Sequence, residues 1–148
     1  MEITFRNMQF DDLLNYSIME KRYFADTSML SSHAISFLYE SRFSYICEID
    51  GRIVGVSIVE NIQNTNLITC LCVESSFRRL NIAKTLIKKT LSAIKEVYGE
   101  GTEVEIMCSE MNTNALNLYQ SFGFKISKVE KNAYFDETDG LIMKLRIE

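Results

Sequence analysis

The sequence predicts an α/β (α+β) fold: a mixed central sheet of about seven strands with helices on both faces. Three observations lead there. Apolar and polar side chains alternate over several short runs, as half-buried strands require. Within residues 77–98, Ile82, Leu86, Ile87, Leu91 and Ile94 recur at three- and four-residue steps, which is one face of an α-helix. The order of the runs reads βααβββαβαββ, which mixes consecutive strands with single helices and so argues against a purely parallel array.

Taken in order, residues 3–7 alternate as an opening strand. Asp11 and Asp12 offer an N-cap to a helix running to about residue 23, with Leu13, Leu14, Ile18 and Met19 inward. A loop over 24–30 leads to Ser31 or Ser32, capping a second helix. His33, the only histidine, falls in its first turn and reads as a surface or partly packed residue rather than a base. Residues 43–49 and 52–60 form a hairpin around Asp50-Gly51, a type I′ signal. The polar stretch 61–66 turns the chain into a buried strand over 67–73. The long helix follows, with Arg78, Arg79, Asn81 and Lys84 in its first turn, and Gly99-Glu100-Gly101 stops it. Residues 103–108 give the fifth strand. A short helix from Asn112 or Thr113 to about 122 is closed by Gly123. The last two strands occupy 124–130 and 141–147.

At 148 residues the chain has the length of one domain, which we expect to span 1–148. Its 47% apolar and 24% charged residues are ordinary for a globular protein. A net charge of −4 and a pI near 5.1 argue against a nucleic-acid partner. The positive charge is nevertheless local. Six of the sixteen Lys and Arg residues (Arg78, Arg79, Lys84, Lys88, Lys89 and Lys95) lie in one segment, which suits an anion site on an acidic body. No run approaches the length that spans a bilayer, and the first residues lack an apolar leader pattern, so we expect a cytoplasmic protein with no membrane partner. Cys47, Cys70, Cys72 and Cys108 sit inside apparent strands and fit no zinc spacing; we expect buried free thiols and no metal. A monomer or weak dimer is the expected assembly. With no proline, the turns rely on Gly, Asn, Asp and Ser.

The charge at the start of the long helix needs a reason. Cations at a helix N-terminus are disfavoured by about 0.3–1 kcal/mol each. Two adjacent arginines there make sense if an anion sits against the free backbone N–H groups, a ready phosphate site. Asn81 adds to this, since Asn tolerates φ > 0 where backbone passes close to a ligand. A solvated basic turn is the alternative.

At this stretch, VESSFRRLNIA (residues 73–83), the chain resembles motif A of the GCN5-related N-acetyltransferase (GNAT) superfamily, Arg/Gln-x-x-Gly-x-Gly/Ala after a strand. Arg78 takes the first position, Asn81 that of the first glycine and Ala83 that of the second. NTNALNLYQSFGF (residues 112–124) is similar to the family's Asn-x-x-Ala-x-x-x-Tyr-x-x-x-Gly-Phe segment, at the right order and separation. The resemblance covers most of residues 43–148 and implies a GNAT-like sheet that binds acetyl-CoA. It places the pyrophosphate against Arg78, Arg79, Asn81, Ile82, Ala83 and Lys84, and pairs the pantetheine amides with the backbone of Leu71, Cys72 and Val73. Asn112 matches the asparagine that contacts the pantetheine arm. Tyr119 matches the tyrosine near the thioester sulfur, where a phenol can donate a proton to the leaving thiolate. Read without the motif, Tyr119 is simply an aromatic of an amphipathic helix.

More narrowly, the chain resembles the protein N-terminal acetyltransferases, including the ribosomal-protein alanine N-acetyltransferases. FRRLNIA is close to their Tyr-Arg-Arg-Leu-Gly-Ile-Gly form, and KNAYFDETDGLIMKL looks like their Arg/Lys-Asn-Tyr-Tyr loop and closing strand. This implies a peptide groove lined by Phe24 and Tyr134, with Ala133 replacing one tyrosine. The sequence departs from the pattern at Met107, where these enzymes usually place a Glu or His base; Glu105 and Glu110 stand nearby and leave the base open. An α-amine of pKa about 7.7–8.0 is already roughly a seventh neutral at pH 7, whereas lysine at about 10.4 lies about 3.5 kcal/mol further from its reactive form. A site without an obvious base therefore favours α-amines, or small amines whose pKa is depressed. The expected function is transfer of acetyl from acetyl-CoA to a peptide α-amine. A small amine such as a polyamine or amino sugar is the alternative acceptor, for which Glu105, Glu110, Asp136, Glu137 and Asp139 supply negative charge. A non-catalytic acyl-CoA-binding domain is the third reading.

Overall fold

The computed structural model describes residues 1–12, 40–134 and 136–148. The two helices expected between residues 13 and 39, together with His33 and Phe24, lie outside the described residues. Seven strands form one sheet: β1 (Ile3–Asn7), β2 (Tyr45–Ile49), β3 (Arg52–Ile62), β4 (Thr65–Val73), β5 (Glu103–Ser109), β6 (Lys125–Glu130) and β7 (Gly140–Arg146). Their spatial order is β1-β2-β3-β4-β5-β7-β6. Every neighbouring pair is antiparallel except β4 and β5. Two α-helices, α1 (Ile82–Tyr98) and α2 (Thr113–Ser121), follow β4 and β5.

Local chemistry explains the boundaries. Asp50 and Gly51 have φ of 50° and 82°, both positive as a type I′ hairpin turn demands. The expected polar turn over 61–66 is tighter than its composition suggests. Only Gln63 and Asn64 form it, with φ of 51° and 65°, so pairing runs on to Ile62 and Thr65. The polar residues Asn61, Thr65 and Asn66 therefore stay in the ladder rather than turning the chain. Gly99, with φ of 86°, ends α1 and donates its N–H to Lys95 O at 2.7 Å.

Helix α1 buries Ile82, Leu86, Ile87, Thr90 and Ile94 against one sheet face. A Cβ at Gly55 would lie 3.0 Å from Ile82 Cγ2 and 3.2 Å from Leu86 Cδ1, so only glycine lets the helix sit this close. The Ser57 and Thr90 hydroxyls share a hydrogen bond of 2.9 Å beneath it. Ile68, Val104, Ile106, Cys108, Tyr119 and Phe124 join Ile87 and Ile94 in one buried cluster. By strand alternation, Val56, Ile58 and Glu60 face away from α1.

Candidate active site

The site is built where β4 and β5 part. They pair through only three rungs, Asn66–Val104, Leu67–Glu105 and Ile68–Ile106. Immediately beyond, β3 advances one residue, Ile58 to Val59, while β4 advances two, Cys70 to Ile68. Thr69 is the extra residue of a β-bulge, which bends its strand and ends pairing. Beyond Ile68, β4 keeps β3 as its ladder partner while its pairing with β5 has ended. A wedge-shaped gap between the two strands results.

The β4 edge alternates. Glu74 donates its N–H to Val54 O at 2.7 Å, so the directly opposed pairs 74/54 and 72/56 are the hydrogen-bonded ones. Leu71 and Val73 therefore turn their N–H and C=O groups into the gap, whereas those of Cys72 go to Val56. Of the three residues expected to offer backbone groups there, two are placed to do so. The Val73 carbonyl accepts from Arg78 Nε at 3.0 Å.

At the mouth of the gap the structure differs from the expected continuous helix. Residues Ser75–Leu80 form a 3-10 helix, with Arg78 and Arg79 in its last turn. Asn81 then takes a left-handed conformation, φ 57° and ψ 25°, before α1 begins at Ile82. The arginines thus sit at the carbonyl end of one helix rather than in the first turn of the next, which removes part of the electrostatic penalty. Asn81 replaces a motif glycine because it is among the few residues that tolerate αL. Its side chain makes no cap hydrogen bond. The first intrahelical bond is Thr85 N to Asn81 O, so the N–H groups of Ile82, Ala83 and Lys84 lack helical partners and point out of the helix start. Arg79 and Lys84 are exposed beside them, while Ile82 is buried and Ala83 half-buried.

The inner part of the gap carries Tyr119, only 5% exposed and edge-on to Phe124 at 6.1 Å. Burial first, then Cys108, Cys70, Tyr134 and Cys72 around it, push its phenol well above the ordinary range, so the proton stays on. No hydrogen bond to its hydroxyl forms among the described residues. Burial likewise pushes the Cys72 thiol up to about 12 and the Cys108 thiol up to about 11. All four cysteines are buried free thiols. Asn112 caps α2, its Oδ1 accepting from Ala115 N at 3.2 Å, at the start of the helix that carries Tyr119.

On the other side of β5, residues 131–134 and 136–139 fold down. Asp139 accepts from Asn132 N at 3.0 Å and Lys131 Nζ at 3.1 Å. Thr138 shares a 3.0 Å hydrogen bond with Ser109, and Glu110 N donates to Asp139 O. This holds Tyr134 half-buried, with its phenol pushed up to about 12, first by burial and then by Cys108 and Asp136. A Cβ on Gly140 would meet Ala133 Cβ at 2.9 Å and Met107 Sδ at 3.0 Å. Met107 is therefore a packed apolar wall under the loop. Gly140 went unnoticed in the sequence; its signal was a glycine opening a strand beside the motif loop.

The acids expected to face a polycation are largely engaged. Glu105 lies 3.8 Å from Lys144 Nζ, and Asp136 accepts from the Thr138 hydroxyl at 2.7 Å. The sequence reading also passed over Glu60, a fully buried carboxylate on β3 whose Oε1 accepts from the Thr69 hydroxyl at 3.3 Å and whose Oε2 has no partner among the described residues. Its signal was weak, because a Glu ending an apolar run reads as a solvated strand end. Among the described residues no group of His, Cys, Asp and Glu could hold a metal, and no helix is long and apolar enough to cross a membrane.

Comparison with known proteins agrees with this geometry. The family model described as an acetyltransferase (GNAT) domain matches residues 16–147. An N-terminal acetyltransferase complex ARD1 subunit homolog of Dictyostelium discoideum is 30% identical over 99% of this chain and 74% of its own length. The ribosomal-protein-S18-alanine N-acetyltransferase of Escherichia coli superposes with a TM-score of 0.81 at 17% identity, covering 99% of this chain and 95% of that one. A chain of the NatC complex, solved with Gag peptide and CoA, gives 0.85 at 20% identity with full coverage of both.

Proposed function

The chain belongs to the GNAT acetyltransferase family and uses acetyl-CoA as co-substrate, and from that premise we propose that its acceptor is the N-terminal α-amine of a peptide or protein. The carrying observation is the wall at Met107. Where a charged base would normally stand, an apolar thioether lies packed under the loop that holds Tyr134. Such a site suits an amine that is already partly neutral near pH 7. The relatives named as N-terminal acetyltransferases support the same reading. The engagement of Glu105, Asp136 and Asp139 by their own neighbours argues against a polyamine.

In this mechanism the N–H groups of Ile82, Ala83 and Lys84 hold the pyrophosphate, with Arg78, Arg79 and Asn81 around it. The edge groups of Leu71 and Val73 pair with the pantetheine amides as a strand would, beside Asn112. Held this way, the thioester would lie in the gap, where Tyr119 could reach it. The amine nitrogen attacks the thioester carbon, the C–S bond breaks, and Tyr119 gives its proton to the departing thiolate. Incubation with acetyl-CoA and peptides of varied first residue, read by mass spectrometry, tests the proposal. Acetyl on the α-amine is expected; acetyl only on lysine side chains or on small amines would overturn it.

A further inference from the structure

With Met107 apolar, something else must take the proton that the attacking amine gives up. Resting on the α-amine reading above, we propose that Thr69 and Glu60 form that acceptor: Thr69 Oγ1 takes the ammonium proton while passing its own to Glu60 Oε1.

Position comes first. Thr69 is the bulge residue directly past the last rung between β4 and β5, so it stands at the apex of the gap and is half-buried. Glu60 lies on the neighbouring strand, opposite Leu67, on the sheet face turned away from α1. The Thr69 hydroxyl reaches Glu60 Oε1 at 3.3 Å and Ile58 O at 3.4 Å. The hydroxyl proton can therefore lie toward the carboxylate, leaving oxygen lone pairs for an incoming N–H.

Chemistry comes second. A carboxylate that is 0% exposed, with Oε2 unpartnered and no Lys or Arg paired to it among the described residues, is something protein interiors avoid. Burial raises the proton affinity of Glu60 above that of an ordinary carboxylate, only partly offset by the Thr69 hydrogen bond, and that makes it a stronger base. The other acids fit less well. Glu105, in the next-but-one strand, faces Lys144, and Glu110 is exposed beyond the end of β5.

The protons balance. The ammonium loses one proton through Thr69 to Glu60 and becomes a neutral amine. After attack the nitrogen's second proton replaces the one Tyr119 has given to sulfur. Glu60 returns its proton by the same path to water once product leaves.

The test measures kcat at saturating acetyl-CoA for Glu60→Gln, Thr69→Val and Thr69→Ser. Two acceptor peptides are compared: one with an ordinary α-amine, and one whose fluorinated first residue keeps the amine mostly neutral at pH 7. On the ordinary peptide, Glu60→Gln and Thr69→Val are expected to lose about 100-fold, with Thr69→Ser within about threefold of the parent. On the weakly basic peptide the same two lose less than about fivefold, because little proton removal is left to catalyse. Acetyl-CoA binding by calorimetry verifies that each variant is folded. If Glu60→Gln does not fold, the contrast between Thr69→Val and Thr69→Ser decides alone. A Glu60→Gln enzyme within about threefold of wild type, or equal losses on both peptides, overturns the pair and leaves the α-amine reading standing. A wild-type enzyme that transfers to no α-amine overturns both.

Discussion

Tyr119 is the residue on which the chemistry is most exposed to test. Its hydroxyl is held protonated by burial and has no hydrogen-bond partner among the described residues, so a phenylalanine there keeps the packing against Phe124 and removes only the hydroxyl. Tyr119→Phe is expected to lower kcat by about 100-fold while leaving acetyl-CoA affinity unchanged in calorimetry; equal activity would mean that water protonates the thiolate. Glu60 makes a second prediction at this scale. Its folded pKa is raised, so its neutral form favours folding at low pH, and that contribution is lost as pH rises through the raised value. Glu60→Gln should therefore gain stability over the parent between acidic and neutral pH, read from denaturant midpoints at each end. A difference that stays flat with pH would show that the carboxylate is not desolvated. These two residues also mark how much sequence can tell. Tyr119 could be singled out in the sequence because Asn112, Ala115, Gly123 and Phe124 stand at fixed spacings within and just beyond the short helix that carries it. Glu60 was not, because its burial comes from long-range packing over β3 that no local pattern encodes.

Among the elements, the strands could be read to within about two residues at each end and α1 at its C-terminal end, since period-2 and period-3.6 patterns report directly which face is buried. What failed was the junction between them. FRRLNIAK holds no Gly or Pro and is mostly good helix formers, yet Asn81 in αL divides it into a 3-10 helix and α1. Propensity sums over such a break; only the backbone conformation shows it. Asn81→Gly is expected to keep acetyl-CoA binding, because glycine adopts the same φ freely. Asn81→Val places a β-branched side chain at φ 57° and should cost about 1–2 kcal/mol with a parallel loss of acetyl-CoA affinity. If Asn81→Val binds normally, the left-handed turn is not needed to aim the N–H groups of Ile82, Ala83 and Lys84. The loop 131–139 has its own device in Gly140. Gly140→Ala drives a methyl against Ala133 and the Met107 sulfur, so the loop must lift and carry Tyr134 with it. A raised KM for the acceptor peptide, with acetyl-CoA binding unaltered, is the expected signature. Unchanged peptide kinetics would separate Tyr134 from the acceptor groove.

Across the molecule, the sheet is two antiparallel halves, β1–β2–β3–β4 and β5–β7–β6, joined through three parallel rungs and a shared core under α1. The seam is open from Thr69 onward, and an extended ligand bonded to Leu71 and Val73 would continue the first half as a further strand. This explains why the gap is a wedge: the last rung, Ile68–Ile106, fixes its apex, and the bulge at Thr69 turns β4 away. Closing such a seam has a consequence for the whole fold. A ligand that binds only the folded state adds about 2.7 kcal/mol at a hundred times its Kd, so acetyl-CoA should raise the melting temperature by several degrees. Amide exchange locates where that gain arises. The Leu71 and Val73 amides face the gap and should become protected on adding acetyl-CoA, while the Cys72 amide, already bonded within the sheet, should hardly change. Protection spread evenly over 71–73, or confined to the start of α1, would mean that the pantetheine arm does not lie along β4 and that the phosphates alone hold the cofactor.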